Sequence, residues 1–97
     1  MDEVRVIAIR RTLKPGPLRA FVDVRMGTVL IQDFRIIEAG GRLIVDPPQS
    51  SWRDPETKVI RFKSIVTLPP DLKQTVEISV LHAWQVEMEK MHDRKPQ

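Results

Sequence analysis

Residues 28–48, TVLIQDFRIIEAGGRLIVDPP, constrain the fold of this chain more than any other segment. Two arms rich in β-branched and large apolar residues flank Gly40-Gly41, and Pro47-Pro48 ends the second arm. Glycine adopts positive φ at little steric cost, so a glycine pair between two such arms is a strong hairpin signal. The sequence therefore predicts an antiparallel hairpin at the centre of a small sheet.

Three other segments, residues 3–11, 18–26 and 58–66, have the composition of strands. In residues 18–26, LRAFVDVRM, every second residue is apolar, which is typical of an antiparallel strand with one buried and one solvated face. Prolines and polar residues dominate residues 47–57, PPQSSWRDPET, and this composition predicts a long loop before the fifth strand.

A C-terminal helix is predicted from about residue 70 to about residue 88. Pro70 suits the first turn, where its missing N–H would be unpaired, and Asp71 suits the positive end of the helix dipole. An apolar stripe of helical period follows, formed by Leu72, Val76, Val80, Ala83 and Trp84. Residues 89–97 are of mixed charge and are expected to fray.

Length and element order together predict one domain over residues 1–97. Strands come first and a helix last, which favours an α+β fold. We expect a single antiparallel sheet of four to five strands, with the amphipathic C-terminal helix packed on one face. With 41% apolar and 30% charged residues among 97, the composition is that of an ordinary globular domain.

Several classes of protein are disfavoured by what the sequence lacks. Without cysteine it has no disulfide and no thiolate metal site. The first residues lack the order of a signal peptide and no apolar run reaches membrane-spanning length, so we expect a cytoplasmic protein without a membrane partner. His82 and His92 have no third ligand at a suitable spacing, so neither a metal nor another cofactor is predicted.

Enzymatic activity is not expected either. Ser50 and Ser51 have no His–Asp arrangement nearby that would activate a nucleophile. Gly40-Gly41 lacks the Gly-x-x-x-x-Gly-Lys pattern and the following helix of a phosphate-binding loop. No small-molecule substrate is predicted.

The order and spacing of several segments resemble the SpoVG family, named for stage V sporulation protein G and known as septation regulators. The similarity runs from about Val4 to Trp84. The matching segments are residues 16–20 (GPLRA), 31–37 (IQDFRII), 41–45 (GRLIV), Pro48, residues 62–65 (FKSI) and Val80-Leu81. The resemblance implies a small antiparallel sheet with a C-terminal helix, a homodimer, and a bacterial regulatory protein that binds DNA or RNA.

In the family, the basic residues associated with nucleic-acid binding lie after the fourth strand and at the helix start. Where the family places a Lys/Arg pair after Pro48, this chain has Ser50 and Ser51. Nucleic-acid binding needs cations spaced to meet phosphates. The candidates near these two places are Arg53, Lys58, Lys63 and Lys73, and a second basic cluster comprises Arg10, Arg11, Lys14, Arg19 and Arg25. The alternative is that these residues only solubilise solvated strand faces.

Trp52, Asp33 and Arg35 are singled out by their neighbours. Trp52 beside Arg53 is expected to anchor the loop against the sheet or a second subunit, with stacking on a base as the alternative. Asp33 and Arg35 lie two residues apart on a strand, hence on one face. We expect them to form an ion pair that fixes strand register or a dimer contact, with a shared recognition role as the alternative.

Two functions follow from these observations. One is a SpoVG-like regulator, linked to septation or sporulation control, that binds nucleic acid as a homodimer. The other is a dimeric protein-interaction module of the same fold with little nucleic-acid binding, motivated by Ser50 and Ser51 in place of the family's basic pair and by Asp71, which adds a negative charge at the helix start.

Overall fold

A computed structural model describes residues 3–93 and confirms the α+β class. Within these residues, a four-stranded antiparallel sheet has the order β1-β2-β3-β4, a separate hairpin pairs β5 with β6, and one helix follows. The elements are β1 (Val4–Arg11), β2 (Leu18–Met26), β3 (Val29–Ala39), β4 (Arg42–Asp46), β5 (Gln49–Arg53), β6 (Ile60–Ser64) and α1 (Pro70–Asp93).

The predicted central hairpin is confirmed as β3 and β4. Gly40 and Gly41 have φ values of 58° and 79°, and Ala39 pairs with Arg42 across them. Positive φ at both central residues is the requirement of the two-residue turn whose twist matches the flanking strands. The turn therefore fixes the register in which Ile36 lies opposite Val45.

The core lies between one face of the sheet and α1. The largest fully buried side chains are Phe34, Ile36, Val22, Val24, Val76 and Val80. Val76, Val80 and Trp84 belong to the predicted helical stripe and are all buried, with Leu72 packed against them. Each such side chain contributes about 1.5–3 kcal/mol relative to an exposed position, so this layer holds the helix on the sheet.

A β-bulge at Asp33 interrupts the alternation of side chains along β3. Val22 pairs with Phe34 and Val24 pairs with Ile31, so two residues of β3 oppose one residue of β2. Asp33 is the inserted residue and has a φ of 70°, in the left-handed region that Asp tolerates better than most residues. The extra residue reverses the alternation of side chains along β3, so Leu30 is exposed although Phe34, four residues further on, is buried.

An ion-pair network on the opposite face of the sheet ties β1, β2 and β3 together at this bulge. Arg10 donates from Nη1 and Nη2 to the Asp23 carboxylate at 2.6 and 2.8 Å, and from Nη2 to Asp33 Oδ1 at 2.6 Å. The backbone N–H of Asp33 donates to Asp23 Oδ1 at 3.2 Å. The Arg10 guanidinium, as the largest influence, lowers the pKa of Asp23 below its usual value. Asp23 is 6% exposed, so this carboxylate depends on its partners.

Asp33 and Arg35 do not form the ion pair with each other that the sequence predicted. Asp33 bonds Arg10, whereas Arg35 Nη2 donates to Asp46 Oδ2 on β4 at 3.4 Å. The bulge separates the two side chains. Each instead ties β3 to a different strand.

The predicted loop over residues 47–57 is wrong in its first half. Gln49–Arg53 form β5, which pairs with β6 in a sheet of its own, so the fifth predicted strand does not join the main sheet. The segment QSSWR has no apolar alternation, and it is a strand only because β6 supplies its hydrogen-bond partners.

The helix is longer than predicted. It continues to Asp93, so residues 89–93 are helical where fraying was expected, and residues 94–97 lie outside the described residues. Charged residues interrupt α1 along its length, and it does not combine the length and hydropathy that crossing a bilayer requires.

We predict that Asp23→Asn lowers the free energy of unfolding by about 1–3 kcal/mol, because it weakens the charge-assisted bonds to Arg10 at a nearly buried position. Asp33→Asn is the matched control. Asn tolerates the left-handed backbone, and the Asp33 carboxylate is exposed, so its loss should cost less than about 1 kcal/mol. Urea unfolding of both variants tests this, and equal losses would contradict it.

The same carboxylate sets a pH dependence. Because the pKa of Asp23 is lowered in the folded state, its contribution is present at neutral pH and is lost as pH falls through the folded-state pKa. The difference in stability between the wild-type protein and Asp23→Asn should therefore shrink below about pH 4.

Candidate nucleic-acid interface

The hairpin of β5 and β6, which we call the arm, projects from the body of the protein. Its strands pack chiefly on each other, whereas α1 packs on β1 and β4. At its base, the N–H of Ile65 donates to the Pro48 carbonyl at 3.1 Å. The radius of gyration is 15.3 Å, against about 12.5 Å for a compact domain of this length. Both faces of the arm are thus accessible to a partner.

Asp54 organises the turn that joins the two strands of the arm. Its Oδ1 accepts from the N–H groups of Glu56 at 2.9 Å and Thr57 at 3.3 Å, and its Oδ2 accepts from Arg61 Nε at 3.1 Å. The backbone amides of Glu56 and Thr57 are the main reason that the pKa of Asp54 lies below its usual value. Such side-chain-to-backbone bonds are why Asp is favoured in turns.

The register of the arm defines two faces, since directly opposed residues lie on the same side of a two-stranded ribbon. Trp52 opposes Arg61 and Ser50 opposes Lys63. We call this the tryptophan face. The other, the phenylalanine face, contains the pairs Ser51–Phe62 and Arg53–Ile60.

The structure does not gather the four predicted cations on one surface. Lys63 lies on the tryptophan face, but Arg53 lies on the phenylalanine face because strand residues alternate in direction. Lys58 lies in the turn, with a φ of 63°. Lys73 lies in the first turn of α1. Glu77 lies one turn further along the helix, and both residues line a cavity of about 220 Å³.

Arg61 is the cation that the sequence prediction missed. It lies directly opposite Trp52, and this relation exists only once residues 49–53 are recognised as a strand. Trp52 is 46% exposed and lies on strand β5 of the arm, so the loop that it was expected to anchor is a strand. Trp84, in contrast, is in the core as predicted.

The second basic cluster is partly neutralised by acids. Arg10 is held by Asp23 and Asp33, and Arg19 bonds Glu38 on β3. These guanidinium groups serve strand pairing, which reduces the positive charge that this part of the sheet offers to a phosphate.

A cleft lies between the phenylalanine face and the outer face of the main sheet. It has a volume of about 610 Å³ and is lined by Phe21, Leu30 and Phe62, together with Asp33 and Arg35. Phe62 is 63% exposed. Among the described residues, Arg35 Nε is buried and has no hydrogen-bond acceptor. An uncovered apolar surface of this kind is typical of a surface that a partner covers.

No family model, curated protein or solved structure matches the chain. Among the side chains that the structure describes, the acidic and histidine residues form no group of three or more that could hold a metal ion. The functional argument therefore depends on the arm, its two faces and the cleft.

We predict that Asp54→Ala loosens the tip of the arm without unfolding the body. It removes the acceptor of the Glu56 and Thr57 amides, so both should exchange hydrogen with solvent faster, while core amides of β2 keep their protection. Lys58→Gly is the control. Glycine suits a φ of 63°, so this variant should leave exchange at the tip equal or slower. Unchanged exchange in Asp54→Ala would contradict the assigned role.

Proposed function

We propose that this chain is a nucleic-acid-binding protein that acts as a homodimer, with the arm as the element that meets phosphates. The observation that carries this proposal is the tryptophan face, where an exposed indole lies directly opposite Arg61 and diagonally from Lys63 on a projecting ribbon. A two-stranded ribbon has dimensions that nucleic-acid grooves admit. The resemblance to the SpoVG family favours a cytoplasmic bacterial regulator of septation or sporulation.

The charge balance of the arm supports binding to a polyanion. Residues 49–64 contain four basic residues, Arg53, Lys58, Arg61 and Lys63, against the acids Asp54 and Glu56. The Asp54 carboxylate is already engaged by turn amides and by one N–H of Arg61. A guanidinium has five N–H donors, so that bond leaves Arg61 capacity for a phosphate.

The phenylalanine face and the cleft favour self-association. Ile60, Phe62 and Ile65 are exposed large apolar side chains on or next to the arm. Burying each one against a second copy contributes about 1.5–3 kcal/mol before the cost of association.

A second candidate function is a dimeric protein-interaction module without nucleic-acid binding. The observation that favours it is the polar, uncharged pair Ser50 and Ser51 on β5, together with the Arg61–Asp54 ion pair. This function keeps the dimer and assigns no role to the cations. The two candidates therefore differ in whether the chain binds oligonucleotides.

We predict that the chain binds labelled oligonucleotides at low salt and that affinity falls as salt rises, because phosphate contacts release counterions. Lys63→Glu should weaken binding across all sequences and lower the slope of log affinity against log salt by about 1. Lys73→Glu makes the same charge change away from the arm and should have a smaller effect. No binding at low salt would leave the second candidate, and equal effects of the two variants would remove the arm from the site.

We predict that Phe62→Ser shifts the chain from dimer to monomer at micromolar concentration, because it removes an apolar side chain from the proposed interface. Ile78→Ser, an exposed apolar position on α1, is the control and should leave the dimer intact. Sedimentation velocity measures both. A monomeric wild-type protein, or a dimer in both variants, would contradict the proposed interface.

A further inference from the structure

We infer that the tryptophan face binds single-stranded nucleic acid, with an unpaired base stacked on Trp52 and flanking phosphates bound by Arg61 and Lys63. This inference rests on the proposed function and names its substrate: unpaired strands in preference to duplex.

The register places the three side chains together on one surface. Directly opposed residues of an antiparallel pair have Cβ atoms about 4.5–5.5 Å apart, so Arg61 borders the indole across the ribbon. Lys63 follows two residues along β6, about 7 Å from Arg61 along the same face. An exposed aromatic ring bordered by two cations is a combination that single-strand-binding surfaces use.

The chemistry of an exposed indole favours an unpaired base over a base pair. In a duplex both faces of each base are covered by its neighbours, whereas an unpaired base offers a free π-face. Indole has a single donor, Nε1–H, and no acceptor, so it is poorly equipped to read base edges in a groove. Stacking on Trp52 would therefore tolerate different sequences and would require an open strand.

Charge distinguishes this face from a protein interface. The core of a protein–protein interface is depleted in charged residues, and such a core suits the phenylalanine face, where Ile60 and Phe62 lie beside one cation, Arg53. On the tryptophan face the indole lies among Arg61 and Lys63 instead. A polyanion with planar bases complements this combination.

The two tryptophans allow a direct test by fluorescence. Trp84 is 8% exposed in the core, and Trp52 is 46% exposed on the arm. In Trp84→Phe the only indole is Trp52, and titration with oligothymidylate should quench its emission. In Trp52→Phe the only indole is Trp84, and the same titration should leave its emission unchanged.

Affinity gives a second readout that does not depend on the core substitution. Trp52→Ala should weaken binding of a labelled single-stranded oligonucleotide by about 5- to 150-fold, the range that loss of one stacked base produces. Trp52→Phe keeps an aromatic ring and should recover part of that loss. Binding of a matched duplex should change little in either variant.

The outcomes separate this inference from the function on which it rests. No binding of either oligonucleotide at low salt overturns both. Salt-dependent binding that Trp52→Ala leaves unchanged overturns the stacking site alone, as does equal weakening of single strand and duplex. A shift of Trp52→Ala from dimer to monomer would assign Trp52 to a protein contact and overturn the inference in the same way.

Discussion

The bonds of Arg10 to Asp23 and Asp33 are the interaction on which the arrangement of the sheet depends. They join three strands at the point where β3 carries one residue more than β2. A bulge reverses which side chains face the core, and here it allows Ile31 and Phe34 to pack on the same side. Without a cation from β1, two carboxylates would lie close together on adjacent strands, and their repulsion would oppose the bulge. The ion pairs thus stabilise the register that the core requires.

The same sheet explains why the arm stands apart. Pro47 and Pro48 follow β4, and proline has no N–H with which to extend a ladder. The chain therefore leaves the main sheet there, and Pro48 is buried at the base of the arm, where its carbonyl accepts from Ile65. Once β5 has left the sheet, β6 is its hydrogen-bond partner. A ribbon held at one end exposes two faces. Here one face carries Trp52 with two cations, and the other carries Ile60 and Phe62.

The features that the sequence predicted depend on residues close together in the chain, and the features that it missed depend on residues far apart. The Gly40-Gly41 turn and the stripe of Val76 and Val80 depend on neighbours within a few residues, so local patterns predict them. Strand β5 depends on pairing with β6, and QSSWR has no signal of its own. The candidate binding site depends on that pairing. Only the register shows that Arg61 lies on the same face of the arm as Trp52, whereas Arg53 lies on the opposite face. The partners of Asp33 and Arg35 are likewise set by strands distant in sequence.

The two faces of the arm make the proposed dimer and the proposed binding site compatible. A two-fold interface is isologous, so association through both phenylalanine faces leaves a copy of the tryptophan face on each protomer. A single strand long enough to reach both copies would bind the second at a raised effective concentration, and the gain depends on the distance between them. Each protomer offers one exposed indole on its arm, so in the proposed dimer a long strand would contact two such faces instead of one. Phe62 would then raise the affinity for long strands through dimerisation, although it does not itself contact the nucleic acid.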